Sequence, residues 1–313
     1  ARRNTVYTGH DFGPASDPSI FEHGQAQVYA PGAYVRDTQF WESNRITPIS
    51  HGENSVEAMM ARLRSDRLYY WGEKAVKTFA SGYITTGNPS KFDFGPLTST
   101  FSVNTVEGFR LRVGGMTTAA LSPRWFARGY VARGFKDHKW KYSGEVEYSF
   151  RDKRQHSREF PVHSLRATQL YDMDMLGQNF VSNNQDNMFM SAKRMDDIQM
   201  TYHRVTKLEY ILEMENNFSI NFRLQNERQE PTRYMPFTDG YGRSFGHYTL
   251  SSATLQLRYA PGEKFYQMKT GRVPINFDAP IFTLSHTWAP KGLAGNPFAV
   301  ASTEASFSKR FWF

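Results

Sequence analysis

Residues 140–150 read Trp140-Lys141-Tyr142-Ser143-Gly144-Glu145-Val146-Glu147-Tyr148-Ser149-Phe150 and alternate with a period of two. Successive side chains of a strand point to opposite faces. Trp140, Tyr142, Val146, Tyr148 and Phe150 therefore share one face, while Lys141, Ser143, Glu145, Glu147 and Ser149 take the other. Eleven residues is about what a tilted strand needs to cross a bilayer.

The same pattern extends outward from this stretch. Phe109, Leu111 and Val113 alternate with Arg110 and Arg112, and Leu208, Tyr210, Leu212 and Met214 with Glu209 and Glu213. After the turn Glu215-Asn216-Asn217, Phe218, Ile220, Phe222 and Leu224 alternate with Ser219, Asn221, Arg223 and Gln225. Lys136-Asp137-His138-Lys139 and residues 151–156 supply polar connections. Further strands are expected at 124–135, 158–170, 247–259, 280–289 and 301–313, about nine in all, with longer polar loops at 171–196 and 230–246. Ahead of residue 93 the pattern differs. Residues 1–51 read as extended segments and loops. Val56, Met59, Met60 and Leu63 then recur at helical spacing behind a cap at Asn54 or Ser55, with a second helical stretch at about 68–80. This divides the chain into a pre-barrel segment, 1–92, periplasmic or plug-like, and a strand region, 93–313.

Composition agrees with strands that meet lipid. Aromatic residues make up 15% of the 313 residues, yet the hydrophobic fraction is 39% and the mean hydropathy is −0.61. A membrane barrel produces this pairing, because apolar and interfacial aromatic positions alternate with positions facing a polar lumen. A soluble sandwich would dilute its aromatics with Val, Ile, Leu and Gly on the inner face. Lumen placement of Arg110, Arg112, Glu145 and Glu147 also avoids the cost of about 2 to 4 kcal/mol that Arg or Lys incurs at the lipid midplane. No stretch approaches the roughly 18 consecutive apolar residues of a spanning helix. The fold class expected is thus all-β, an antiparallel transmembrane β-barrel or part of a larger one, with a short helical segment ahead of it.

Several functions lose their chemical handle. The chain has no cysteine, which removes disulfides, thiolate metal sites and cysteine nucleophiles. Its 9 histidines form no HExxH pair, and Ser122, Asp93 and Asp137 form no recognisable triad in sequence. The net charge of +8 is interspersed rather than gathered into a patch, which argues against nucleic acid. Lipid head groups and lipopolysaccharide are the expected anionic partners. No enzyme activity, cofactor or metal is expected. Asp172, Asp174, Asn183, Asn184, Asp186 and Asn187 place oxygen ligands in one loop, as a calcium site does, but without the Gly and distal Glu of an EF-hand; a solvated Asx-rich loop is the competing reading. Met173, Met175, Met188, Met190, Met195 and Met200 suggest loop packing or partner contact. Two readings of Phe311-Trp312-Phe313 stand: a terminal aromatic signal for outer-membrane assembly, or an aromatic strand inside a longer barrel. Ala1-Arg2-Arg3-Asn4 carries no apolar signal segment, so the chain reads as a mature product or a fragment.

The candidate site is a lumen charge cluster of Glu107, Arg110, Arg112, Glu145 and Glu147. Glu107 enters a strand beside Gly108 and is expected to be held by Arg110 or Arg112. Structural pairing and a selectivity filter are both open for these charges.

Specific runs add a resemblance. Phe94-Gly95-Pro96, the stretch Asn104 to Gly115, Gly129-Tyr130, Gly134-Phe135-Lys136-Asp137 and Trp140-Lys141-Tyr142 resemble an uncharacterised outer-membrane family common in Bacteroidota, domain-of-unknown-function family 5686. Phe40-Trp41 with Arg45 and Glu53, and Tyr171-Asp172-Met173-Asp174 with Leu176-Gly177-Gln178, are similar to its flanking segments. The resemblance covers roughly 30–313. It implies an outer-membrane barrel and assigns no activity. It also implies longer members, with a carboxypeptidase-regulatory-like sandwich ahead and more strands behind, so that this chain would be an internal portion. The function expected is a non-enzymatic scaffold or accessory subunit of an envelope assembly or export complex, with other outer-membrane or periplasmic proteins as partners. The alternative is a transport pore or a portion of a TonB-dependent-type transporter.

Overall fold

The computed structural model describes Gly13 and residues 38–44, 51–87, 89–175, 199–268 and 271–311. Its helices are α1 (Thr38–Asn44), α2 (His51–Ser65) and α3 (Arg67–Ser81). Asp66 ends one helix and starts the next, because its extended backbone frees Oδ1 to accept from the Tyr69 N–H at 2.9 Å. Gly82, at φ +73°, closes α3 by donating its N–H to Thr78 O. α2 and α3 pack on each other rather than on the strands.

The strands are β1 (Ile84–Thr85), β2 (Phe92–Phe94), β3 (Phe101–Asn104), β4 (Gly108–Thr117), β5 (Trp125–Gly134), β6 (Trp140–Ser149), β7 (His163–Met175), β8 (Met200–Glu213) and β9 (Phe218–Glu230). They continue as β10 (Phe237–Thr238), β11 (Ser244–Phe245), β12 (Tyr248–Tyr259), β13 (Phe265–Gln267), β14 (Arg272–Pro274), β15 (Ile281–Ala289) and β16 (Val300–Ser308). Twelve of them form one antiparallel meander in the order β1-β2-β4-β5-β6-β7-β8-β9-β12-β15-β16, with β3 also on β4. β10–β11 and β13–β14 are small hairpins within connections. The all-β expectation holds. Closure does not: among the described residues the sheet is open, because β16 pairs only with β15, and β1 and β3 lie at the far side.

Strand limits differ from expectation in several places, among them β16, which ends at Ser308 short of the expected 313. β7 runs on through 171–175, where Asp172 and Asp174 suggested a loop; Tyr171 and Met173 alternate with them, and the period outweighs the Asp residues. β8 starts at Met200 rather than near Leu208, and 158–162 belongs to a loop instead of a strand.

Residues directly opposite each other share a face, so the register sorts the side chains. One row across the sheet reads Phe126, Glu147, Arg166, Glu209, Arg223, Thr254, Thr287 and Ser302. The adjacent row, on the opposite face, reads Ala127, Val146, Ala167, Leu208, Leu224, Ala253, Trp288 and Ala301. Burial is inverted relative to a water-soluble sheet. The polar face is covered, with Lys141 at 0% exposure, whereas Trp288 on the apolar face is 54% exposed.

The polar face is concave. Arg110 of β4 reaches Asp172 of β7 at 2.7 Å over two intervening strands, which a flat sheet with strands about 4.8 Å apart would not allow. At one end, the loop 150–162 meets the β12–β15 connection: Phe160 and Phe265 rings lie 5.0 Å apart, and the Phe160 N–H donates to Gln267 Oε1.

On the convex face the apolar stretch drifts across the rows. On β4 it runs from Phe109 to Gly115, with Phe94 of β2 beside Gly115, and Val113 shares its row with Arg228 of β9. On β9 it runs from Phe218 to Leu224, so its midpoint has moved eight residues along the register.

Glycine is required where backbones crowd. A Cβ at Gly134 would lie 2.3 Å from Asp137 Oδ1 and 2.9 Å from Glu107 Cβ, while one at Gly144 meets nothing within 4 Å. Gly134→Ala is expected to cost about 1 to 3 kcal/mol, and Gly144→Ala less than about 0.5 kcal/mol. Urea unfolding of the two variants compares them; equal midpoints would contradict this packing.

A charge-paired concave face as the candidate functional site

Two ion-pair networks occupy the concave face. The first lies where the short turns 105–107 and 135–139 meet. Asn104 Oδ1 accepts from the Val106 and Glu107 N–H groups, an Asx turn that aims the Glu107 carboxylate inward over Gly134. Lys141 Nζ sits 2.5 Å from Glu107 Oε1 and is also bonded to Asp137. Arg110 lies 3.4 Å from Glu107 and 2.7 Å from Asp172, which also accepts from the Tyr130 hydroxyl. The Tyr202 hydroxyl donates to Asp137 at 2.9 Å.

The second network crosses β5 to β9. Arg166 faces Glu147 at 3.1 Å, Glu145 at 3.5 Å and Glu209 at 3.9 Å. Arg128 pairs with Glu145 at 2.6 Å, and Glu209 also holds Lys207 and Arg223, each at 3.0 Å. Like charges thus alternate with opposite ones along the row.

The residues expected to cluster fall in both networks. Glu107 and Arg110 belong to the first, Glu145 and Glu147 to the second. Arg112 stands apart from Glu107: its guanidinium covers the Tyr130 ring at 3.7 Å. Lys141, Asp137, Asp172, Arg166 and Glu209 were not chosen from sequence. Alternation had put Lys141 on the face of Glu145 and Glu147, and Glu209 on a polar face, but their partners come from other strands.

Loop 150–162 folds toward this face. Arg158 lies with Arg128, Glu145 and Glu147 around a small cavity. Burial, with Arg128 and Arg166 beside it, pushes the Arg158 guanidinium down to about 10, so it stays charged at neutral pH. Lys153 is buried and donates to the carbonyls of Glu159 and Pro161. Glu213 ties the loop to the strands, accepting from the Val162 N–H at 2.9 Å while paired with Arg272.

His156 is a hinge point of this cap. Its Nε2 is 2.8 Å from Met268 O, and its Nδ1 accepts from the Arg158 N–H. Those two roles require the neutral ring protonated on Nε2. Burial holds the His156 pKa below its usual value, against the pull of the Met268 carbonyl. A base with a depressed folded pKa contributes stability in full above about pH 6.5, and loses it as the pH falls toward and through the folded value. Amide exchange in 150–162, corrected for intrinsic rates, is expected to speed up between about pH 7.5 and about pH 5. His156→Gln is expected to abolish that pH dependence; an unchanged dependence in the variant would assign it elsewhere.

One constellation has the order of a hydrolase triad. Thr201 Oγ1 is 2.8 Å from His203 Nε2, and His203 Nδ1 is 2.7 Å from Glu227 Oε1. The Thr201 side chain is wholly buried, which leaves no room for a substrate carbonyl beside the hydroxyl. Among the described residues no group of three or more His, Asp or Glu is placed to hold a metal. Asn183, Asn184, Asp186, Asn187, Met188, Met190 and Met195 lie outside the described residues, as do Trp312 and Phe313.

Fold and site together define a class: an antiparallel meander with a buried, charge-paired concave face and an exposed aliphatic and aromatic convex one. The family of unknown function DUF5686, C-terminal domain, matches residues 76–312. The chain belongs to this family. Comparison with curated proteins gave no match, nor did comparison with solved structures.

Proposed function

We propose that the sheet is part of the wall of a bacterial outer-membrane β-barrel, and that it serves as a non-enzymatic scaffold or accessory subunit of an envelope assembly or export complex. The carrying observation is the drift of the apolar stretch by eight residues from β4 to β9. Strands tilted by about 45° and spaced by about 4.8 Å must shift a level band by about seven residues over five steps. A planar slab of lipid crossing tilted strands draws such a diagonal.

Three further observations support the reading. Rings of Tyr148, Phe150, Phe218, Tyr259, Phe282 and Phe307 lie toward one end of the convex stretch, as an interfacial aromatic girdle does. Arg204 and Arg228 continue the convex face beyond the other end, where lipopolysaccharide phosphates would meet them. The concave charges are paired with one another, and loop 150–162 lies on them, which suits a sealed wall better than a conducting lumen.

The test is purification from detergent-solubilised outer membranes, followed by mass spectrometry of co-purifying chains and planar-bilayer recording. A stoichiometric set of envelope-assembly or export proteins with no conductance is the expected result. A chain that purifies alone and conducts ions would replace the scaffold with a transport pore.

A further inference from the structure

α3 carries an apolar face that nothing in the described structure covers. At 100° per residue, Leu68, Trp71, Ala75, Val76 and Phe79 fall on one side, with Glu73, Lys74 and Lys77 on the other. Leu68 is 84% exposed and Phe79 76%. α2 does not shield them, and itself exposes Val56 and Met59. Leaving such side chains in water forfeits the free energy of burying them, so the face is built to meet something.

Two observations identify what it meets. The first is charge. The two helices, residues 51–81, contain Arg62, Arg64, Arg67, Lys74 and Lys77 against Glu53, Glu57, Asp66 and Glu73, and α3 alone carries Arg67, Lys74 and Lys77 against Glu73. Asp66 serves as the helix cap, and Glu73 is shared by Arg64 and Lys77. Arg62, Arg67 and Lys74 lie outside these pairs, and Lys74 Nζ rests 5.2 Å from the Trp71 ring at the border of the apolar face. A basic amphipathic helix with Trp, Phe and Leu on its apolar side has the composition of one that lies in a membrane interface.

The second is position. The α3 C-terminus is joined to the sheet without slack: Gly82 O accepts from the Leu97 N–H at 2.8 Å, and the Ser81 hydroxyl donates to Tyr83 O at 3.1 Å. Two residues past Gly82, Ile84 lies opposite Phe94, which lies opposite Gly115. Ile84 and Phe94 are both exposed on the convex face. The helix therefore starts from the margin of the apolar stretch, at the end of β4 where that stretch gives way to Thr117 and the turn 118–124.

We infer that α3 lies flat in the interface of the same bilayer that the convex face meets, with Leu68, Trp71, Val76 and Phe79 in the acyl-chain region and the basic face toward anionic headgroups. The inference rests on the wall reading above. It assigns the pre-sheet segment to the lipid surface instead of the lumen.

The absence of native cysteine makes a labelling test direct. Single cysteines replacing Phe79, Val76, Lys77 and Leu284 in the full chain would each carry an environment-sensitive fluorophore. The chain would be reconstituted in phosphatidylcholine–phosphatidylglycerol vesicles with and without a nitroxide lipid quencher near the headgroup. Emission from positions 79 and 76 is expected to fall about twofold or more with the quencher, with position 77 almost unaffected. Position 284, on the convex face of β15, reports the wall itself. If 284 is quenched while 79, 76 and 77 respond alike, the helix inference is overturned and the wall stands. If 284 is not quenched, the wall reading fails and the inference falls with it.

Discussion

Lys141→Met is expected to destabilise the folded chain by about 3 to 5 kcal/mol, the range seen when one partner of a buried ion pair is removed. The Lys141 ammonium is wholly buried between Glu107 and Asp137. Methionine matches its length and removes its charge, leaving Asp137 without its ion-pair partner and Glu107 with Arg110 alone, 3.4 Å away. Glu107→Gln added to Lys141→Met is expected to restore part of the loss, because it withdraws one of those charges. The pH dependence follows from Asp137. Burial works against its ionised form, but Lys141, the Lys139 N–H and the Tyr202 hydroxyl together hold its carboxyl below the usual value. A carboxylate with a depressed folded pKa contributes stability above about pH 4, and loses it as the pH falls through the folded value. Urea unfolding in detergent, followed by tryptophan emission, should show that acid-side loss in the native chain and little of it in Lys141→Met. An unchanged midpoint in Lys141→Met would mean that the first network contributes nothing.

Arg166→Met should be comparably damaging, by about 3 to 5 kcal/mol. Its guanidinium is the shared partner of Glu145, Glu147 and Glu209, contributed by β6 and β8 on either side of β7. Without it Glu147 loses its ion-pair partner, whereas Glu145 keeps Arg128, and Glu209 keeps Lys207 and Arg223. The cost should therefore be concentrated at Glu147. A double-mutant cycle of Arg166→Met with Glu147→Gln is expected to give a coupling of about 1 to 3 kcal/mol, while the cycle with Glu209→Gln gives less. Additive losses in both would show that the row is not an electrostatic unit.

The period of two was legible in sequence and carried most of the fold. In 140–150 it sorted every side chain to the face that the register assigns, because a covered polar face and an exposed apolar one impose opposite compositions on alternate positions. It was less secure at strand ends. Asp172 and Asp174 resembled loop residues only because their partners, Arg110 on β4 for Asp172 among them, lie too far along the chain to be read locally. The candidate site was half legible for the same reason. Arg110, Glu145 and Glu147 announced themselves as charges within strands, and Glu107 as a charge at the entry to one. Arg166 did not, since its role depends on Glu147 and Glu209 being in register with it on neighbouring strands. Of the two cations expected for Glu107, Arg110 lies 3.4 Å from it, and the Arg112 guanidinium covers the Tyr130 ring. Loop 150–162 gave no sign that it folds back onto the sheet, because the contacts that bring it there, Phe160 to Phe265 and His156 to Met268, come from the β12–β15 connection more than a hundred residues later.

The central claim is that the convex face meets lipid and the concave face does not. A cysteine scan of β9 from Phe218 to Glu230, probed with a membrane-impermeant maleimide in isolated outer membranes, addresses it directly. Protection is expected at 218, 220, 222 and 224 in the lipid environment, with contact quenching by acyl-chain nitroxides at those positions alone. The alternation should end at Asn226, where the convex face turns polar and Arg228 and Glu230 follow. Quenching at 219, 221, 223 and 225, or none at any position, would contradict it.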